Sequence, residues 1–314
     1  MSRRPIARRL RPLRHALELV ATRGAIALVC ALPERAALGL GAALGRAAGA
    51  VLRRRARISL VNLRVALPEK SDAERRAIYR ASMAEFGRNA VEWARLPRLA
   101  PAELRARVET VGLEHLRDAL AKGHGALAVT AHYGNWELLP AAMHALAPDT
   151  RLVAVGRTLR NAELYRMIVA RREQGGGELL PQDARPILRA LREGKSVGVL
   201  VDQYTTQRRG GVLAPFLGVQ AWTNAGPALL ALRTGAPLVP AHAERTGPGR
   251  HRIVFGPEIA PARSGDRDAD VRETTARINA ALSGFIRQDP VPWLWSHRRF
   301  RKSPDAPADL YGRP

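Results

Sequence analysis

Residues 125–142 read GALAVTAHYGNWELLPAA and place a histidine and a glutamate five positions apart, His132 and Glu137, around a Gly134-Asn135 pair. On a regular helix, side chains five apart diverge by about 140° and cannot meet. With His132 at the end of a strand and Glu137 in the first turn of a following helix, the glycine turn folds them together. A carboxylate bonded to one imidazole nitrogen fixes the tautomer and raises the ring's basicity. The other nitrogen is then left to take a proton from a hydroxyl. A plainer reading of the same residues has His132 capping a turn and Glu137 placed by the helix dipole.

Other polar residues fall where strands should end. Arg157 follows an apolar run in VAVGRTLRN, with Arg160 close behind, and Asp202 closes another in VGVLVDQY. If those runs are parallel strands, His132, Arg157 and Asp202 gather on one rim, where open α/β sheets hold their ligands. An arginine there suits a phosphate or a carboxylate; each residue alone reads more readily as a structural ion pair, and it is the three together on one rim that point to a site. Residues 211–218, GVLAPFLG, read as an apolar loop suited to a greasy substrate. Near the C-terminus, PWLWSHRRFRK interleaves Trp293, Trp295 and Phe300 with His297, Arg298, Arg299, Arg301 and Lys302. Such mixing suits a membrane interface, a phosphate-bearing lipid head or RNA stacking. No G-x-S-x-G elbow, phosphate-binding P-loop or H-E-x-x-H zinc helix is present, and a covalent serine or cysteine nucleophile has no support.

The elements that must position these residues follow from the apolar pattern. Ser71-x-x-Glu74 is a capping box that opens a helix running to about Arg95, ahead of Pro97. Short β-prone runs at 126–130, 152–155, 197–201, 238–243 and 252–255 then alternate with helical stretches. The helices are expected at 136–147, 162–173, 184–192, 226–233 and 271–287. This alternation predicts an α/β fold, a largely parallel mixed sheet flanked by helices.

The first 56 residues differ in kind from residues 57–314, which read as the globular domain. Apolar stretches at 16–32 and 36–52 are interrupted by Glu18, Arg23 and Arg46, so neither is the run of ~20 apolar residues that a spanning helix needs. The expectation is an N-terminal membrane-associating helical segment, interfacial or a shallow hairpin broken at Pro33. Gly41, Gly45 and Gly49 recur every four residues, which lets another helix approach closely.

The 314-residue chain holds 51 Lys+Arg against 28 Asp+Glu, a net charge of +23. Residues 1–64 carry 14 arginines against only Glu18 and Glu34. That excess implies a polyanionic neighbour, and its place beside apolar runs favours a membrane surface over nucleic acid. Cys30 is the single cysteine, which excludes a disulfide framework.

In this order, HYGNWE, VGRTLRN, DQY with GGVLAPFLG, and WSHRRF resemble the lipid A biosynthesis lauroyl/myristoyl acyltransferases. These belong to the lysophospholipid acyltransferase superfamily with its H-x-x-x-x-D/E motif, and ISLVNLRVALPE at 58–69 resembles a segment early in their catalytic domain. The resemblance implies a glycerolipid acyltransferase-like fold without cofactor or metal. It implies direct transfer of a fatty acyl group from an acyl carrier protein or acyl-CoA thioester to a hydroxyl of a phosphorylated glycolipid. His132 would be the general base and Glu137 its orienting partner. Arg157, Arg160, Asp202, Asn135, His297, Arg298 and Arg299 would line the substrate site. The cytoplasmic face of a bacterial inner membrane, with peripheral or monotopic attachment, would be its place. Related enzymes acylate other lipids with the same pair, so another glycolipid or lysophospholipid acceptor stays open. An arginine-rich nucleic-acid-binding protein is the alternative of a different class.

Overall fold

A computed structural model describes residues 11–156 and 161–312. The described residues open with three helices, α1 (Arg11–Ala31), α2 (Glu34–Val51) and α3 (Arg53–Ala66), the first two parted at Pro33. The long α4 (Asp72–Arg95) follows, opened by the expected capping box: Ser71 accepts from the Glu74 N–H while the Glu74 carboxylate accepts from the Ser71 N–H. Helices α2 and α4 cross backbone to backbone. A Cβ built on Gly45 would lie 2.0 Å from the Met83 carbonyl oxygen, so this crossing admits no larger residue there. The glycine spacing is therefore an intramolecular seam. Among the described residues, no helix is long and apolar enough to cross a membrane.

The α/β body is built on a seven-stranded sheet in the order β1 (Val108–Val111), β9 (Arg250–Phe255), β8 (Leu238–Gly247), β2 (Ala126–Thr130), β5 (Ser196–Leu200), β3 (Val153–Gly156), β4 (Glu178–Pro181). Every neighbouring pair is parallel except the β8–β9 hairpin. The sheet is thus the expected mostly parallel one, with helices on both faces. Strand β2 is buried on both sides: Leu127, Val129 and Ala131 join one apolar cluster, and Ala126 and Ala128 the other. The first cluster lies under α9 (Ala184–Arg192), α10 (Gly226–Thr234) and α11 (Arg267–Gln288). The second lies under α5 (Pro101–Arg107), α6 (Leu113–Ala121) and α7 (Leu139–Leu146).

Two local expectations need correction. Residues 211–218 are not a loop: β6 (Gly211–Phe216) and β7 (Val219–Asn224) form an antiparallel hairpin, and Ala214, Phe216 and Leu217 are buried. The alternation of GVLAPF was hidden by Pro215, which sits on the exposed side of this two-stranded ribbon. The helix expected at 136–147 begins only at Leu139, with Pro140 in its first turn, where proline is pre-organised for a helix start. Glu137 consequently precedes the helix, in a turn.

Candidate active site

Strand register assembles the site. β2 and β5 run side by side in parallel with Thr130 opposite Leu200, and the Val201 N–H donates to the Thr130 carbonyl at 3.0 Å. Two residues past that pair, each chain carries its polar residue, His132 on one and Asp202 on the other. The His132 Nδ1–H donates to Asp202 Oδ1 at 2.7 Å, and the His132 backbone N–H to Oδ2 at 3.0 Å. The Trp293 indole N–H also donates to Oδ2, at 2.8 Å. Asp202 is only 3% exposed, so all three donors act in a low-dielectric setting.

These contacts decide the electrostatics. Burial alone would raise the Asp202 pKa, but the facing His132 and the three hydrogen bonds hold it at about 2. For His132, burial would lower the pKa, and the Asp202 charge and hydrogen bond outweigh it, with a smaller push from the Glu137 charge, so the net shift is upward. An ionised Asp202 fixes the proton on Nδ1. Nε2 is left as the acceptor; the Gln203 side-chain amide lies 3.3 Å from it, and the Trp136 ring stands edge-on to the imidazole at 5.2 Å between centroids.

His132 opens into a cavity of about 1290 Å³. Val155, Ile187, Leu188, Leu229 and Leu230 give it apolar walls, while Glu137, Arg172, Gln203 and Arg209 supply polar groups. Room on this scale suits a large lipid.

The structure does not bond Glu137 to His132. The Glu137 carboxylate is taken bidentately by Arg172 of α8 (Ala162–Gln174), at 2.9 Å from Nε and 2.6 Å from Nη2. The late helix start is the reason, since Glu137 leaves the turn toward α8 rather than back toward the strand end. Asp202, expected on the rim as a substrate contact, is instead the histidine's partner.

The remaining expected residues fall elsewhere. Asn135 is buried, its amide donating to Glu92 at 2.8 Å. His297 accepts the Tyr204 N–H at Nε2, 3.0 Å away. Burial, with the neighbouring Arg299, His132 and Arg55 charges and against the pull of Asp202, pushes its pKa down to about 4. Arg298 stacks on Tyr311, 5.7 Å from the ring centroid. Arg299 is wholly buried; it donates to the Trp222 carbonyl and the Thr223 hydroxyl and covers the Phe216 ring, tying down the β6–β7 hairpin. None of these four is among the residues lining the cavity. Arg157 and Arg160 lie outside the described residues. Arg172, Gln203, Trp136 and Trp293 are site residues that sequence reasoning missed. Only HYGNWE and PWLWSHRRF pointed toward the two tryptophans, and nothing local pointed to Arg172.

Comparison with known proteins places the chain in a family. A family described as bacterial lipid A biosynthesis acyltransferase matches residues 5–302. The chain is 29% identical over 292 residues to the lipid A biosynthesis lauroyltransferase of Escherichia coli (strain K12), covering 92% of each protein. It is 32% identical over 222 residues to the phosphatidylinositol mannoside acyltransferase of Mycolicibacterium smegmatis, covering 69% of this chain and 70% of that one. The E. coli lipid A biosynthesis myristoyltransferase is 24% identical over 258 residues, covering 81% of this chain and 77% of that one.

Proposed function

Because the chain belongs to the bacterial lipid A biosynthesis acyltransferase family, we propose that it moves a fatty acyl group from an acyl thioester to a hydroxyl of a lipid A precursor. Acyl carrier protein is the preferred donor, with acyl-CoA the alternative. The observation that carries the reading is the His132–Asp202 pair, with the unprotonated His132 Nε2 at the edge of a large, partly apolar cavity.

The step balances without an acyl-enzyme. The acceptor hydroxyl gives its proton to His132 Nε2 as its oxygen bonds to the thioester carbonyl carbon. The carbonyl electron pair moves onto oxygen and then returns to expel the thiolate, breaking the C–S bond. The imidazolium passes its proton to the departing sulfur, restoring the neutral ring. Asp202 acts on His132 throughout: it holds the tautomer and stabilises the imidazolium between the two transfers. Glu137 is assigned to holding Arg172 in the cavity wall. Arg157 and Arg160 are assigned, on sequence grounds alone, to the acceptor's phosphates.

The test is a mass-spectrometric matrix of donors and acceptors. Purified protein is given acyl carrier protein or CoA thioesters with a tetra-acylated lipid A precursor or a phosphatidylinositol mannoside. One added acyl group on the precursor supports the reading. Acylation of the mannoside alone would reassign the acceptor, an outcome favoured by the 32% identity to the mycobacterial enzyme.

We also place the protein peripherally at the cytoplasmic face of the inner membrane, through the segment before residue 57. Leu44 in the second half of α2, and Val51 and Leu52 at the α2–α3 junction, are large, exposed apolar side chains. Around them residues 35–68 carry seven arginines and no acid. Apolar side chains ringed by cations suit an anionic bilayer surface. Val51→Glu with Leu52→Glu should weaken co-sedimentation with phosphatidylglycerol-containing vesicles by roughly tenfold or more, because each buried side chain contributes ~1.5–3 kcal/mol. Unchanged sedimentation would move the docking face elsewhere.

A further inference from the structure

Behind the catalytic turn lies a buried polar cluster that the chemistry above does not use. Its centre is Glu92, near the end of α4, with a side chain 12% exposed. Arg245 of β8 donates to both of its oxygens, at 2.9 Å to Oε2 and through Nη1 to Oε1. His251 Nε2 of β9 lies 3.1 Å from Oε1. The third partner is the turn itself, through the Asn135 amide on Oε2. One turn earlier on α4, Asn89 donates to the Gly134 carbonyl at 2.6 Å and accepts from Arg245 at 2.8 Å. Burial would raise the Glu92 pKa, but the hydrogen bonds and charges of His251 and Arg245 hold it at about 2, so the hub is an anion.

The turn has little freedom of its own to fall back on. Gly134 takes φ +54°, and a Cβ there would lie 1.6 Å from the Ala243 carbonyl oxygen, so β8 presses directly on one side. On another side, the Gly134 N–H donates to the Pro292 carbonyl and the Leu294 N–H to the His132 carbonyl. The third side is closed by Asn89 and Glu92. These anchors fix where the backbone leaves His132, and hence the direction in which Nε2 faces the cavity.

We propose that Glu92 is a positioning residue for acyl transfer, holding Asn135 and with it the His132–Gly134 turn in the orientation that presents Nε2 to the acceptor hydroxyl. Every donor around Glu92 needs an acceptor. Glutamine at 92 turns an amide N–H₂ toward at least one pair of them, either Arg245 with Asn135 or Arg245 with His251. Misplacement by a fraction of an ångström acts on the reaction rather than on ground-state binding. The proposal rests on His132 being the base.

Three variants test it: Glu92→Gln, Glu85→Gln and Asn135→Ala. Glu85 also binds Arg245, at 2.7 Å, and is similarly buried, yet it makes no hydrogen bond to the turn. Glu92→Gln should lower kcat about 10–100-fold with KM unchanged and with the acidic limb of the pH profile in place, because Asp202 still holds His132. Glu85→Gln should keep kcat within about threefold while losing a comparable part of its thermal stability. Asn135→Ala removes the bond from the turn to Glu92, together with the weaker contact that the Asn135 Oδ1 accepts from the Leu138 N–H at 3.3 Å, and it should lower kcat as Glu92→Gln does. The double variant should be no worse than either single one. An equal fall in kcat for Glu85→Gln would make the cluster merely structural, and full kcat in Asn135→Ala would overturn the proposal even if Glu92→Gln failed to fold. An inactive wild type, or an active His132→Ala, would instead strike at the assignment of the base.

Discussion

Replacing His132 with alanine should lower kcat ~10²–10⁴-fold, the usual contribution of a positioned general base. That range corresponds to roughly 3–5 kcal/mol of transition-state stabilisation. In the proposed reaction the donor and acceptor rest against the cavity walls, which alanine at 132 leaves in place, so KM for either should move little. The substitution also removes two of the features that hold Asp202 ionised, the facing ring and its hydrogen bond, while the backbone N–H and Trp293 remain. The Asp202 pKa should therefore rise. Removing one partner of a buried polar pair costs about 1–3 kcal/mol, so a lowered melting temperature is expected and activity must be read well below it. A folded His132→Ala protein that still acylates the acceptor at the wild-type rate would show that another group takes the proton.

What the sequence could show and what it could not is visible in this one pair. His132 and Asp202 each stand at the end of a short apolar run, and that pattern places both on a rim. Their direct contact spans 70 residues of chain and depends on Thr130 pairing with Leu200, a register that no local pattern encodes. The five-residue spacing of His132 and Glu137 was legible and drew the eye instead. Pro140 was equally legible. Read as a first-turn proline it starts the helix at Leu139 and leaves Glu137 outside, which already weakens a local His–Glu pair. The capping box at Ser71 was readable because all its partners lie within four residues. Arg299 was misread for the opposite reason. In a run of cations a solvated or ligand-facing role is the ordinary expectation, and only the folded β6–β7 hairpin supplies the carbonyl, hydroxyl and ring that bury it. The seam of Gly41 and Gly45 was visible as spacing, yet its partner, Gly87 of α4, was not.

The two carboxylates make separable predictions, and Asp202→Asn should be the more damaging. Asparagine can put its one oxygen where Oδ2 was, satisfying the His132 backbone N–H and the Trp293 indole. Its amide nitrogen then faces Nδ1 as a donor, so the ring must accept there and carry its proton on Nε2. That tautomer cannot take a proton from the acceptor. The expected loss is ~10³–10⁴ in kcat, the scale seen when a triad carboxylate is replaced by its amide. The sign of the pH effect follows from the same contact. The Asp202 charge raises the His132 pKa, so without it the ring deprotonates at lower pH and the acidic limb of the residual activity shifts downward. Glu137→Gln behaves differently. It leaves the His132–Asp202 bond intact and deprives Arg172 of a bidentate partner in a site where both side chains are about one-quarter exposed. Its cost should appear mainly in KM, roughly tenfold to a hundredfold for a half-buried group left unpaired. The acidic limb should also move down by less, because Glu137 acts on His132 only through its charge. Measuring kcat, KM and the pH profile of both variants decides between the carboxylates. If Glu137→Gln matched Asp202→Asn in kcat, the acid five residues from the histidine would have to reach it in the working enzyme, and the Arg172 pair would be a resting arrangement.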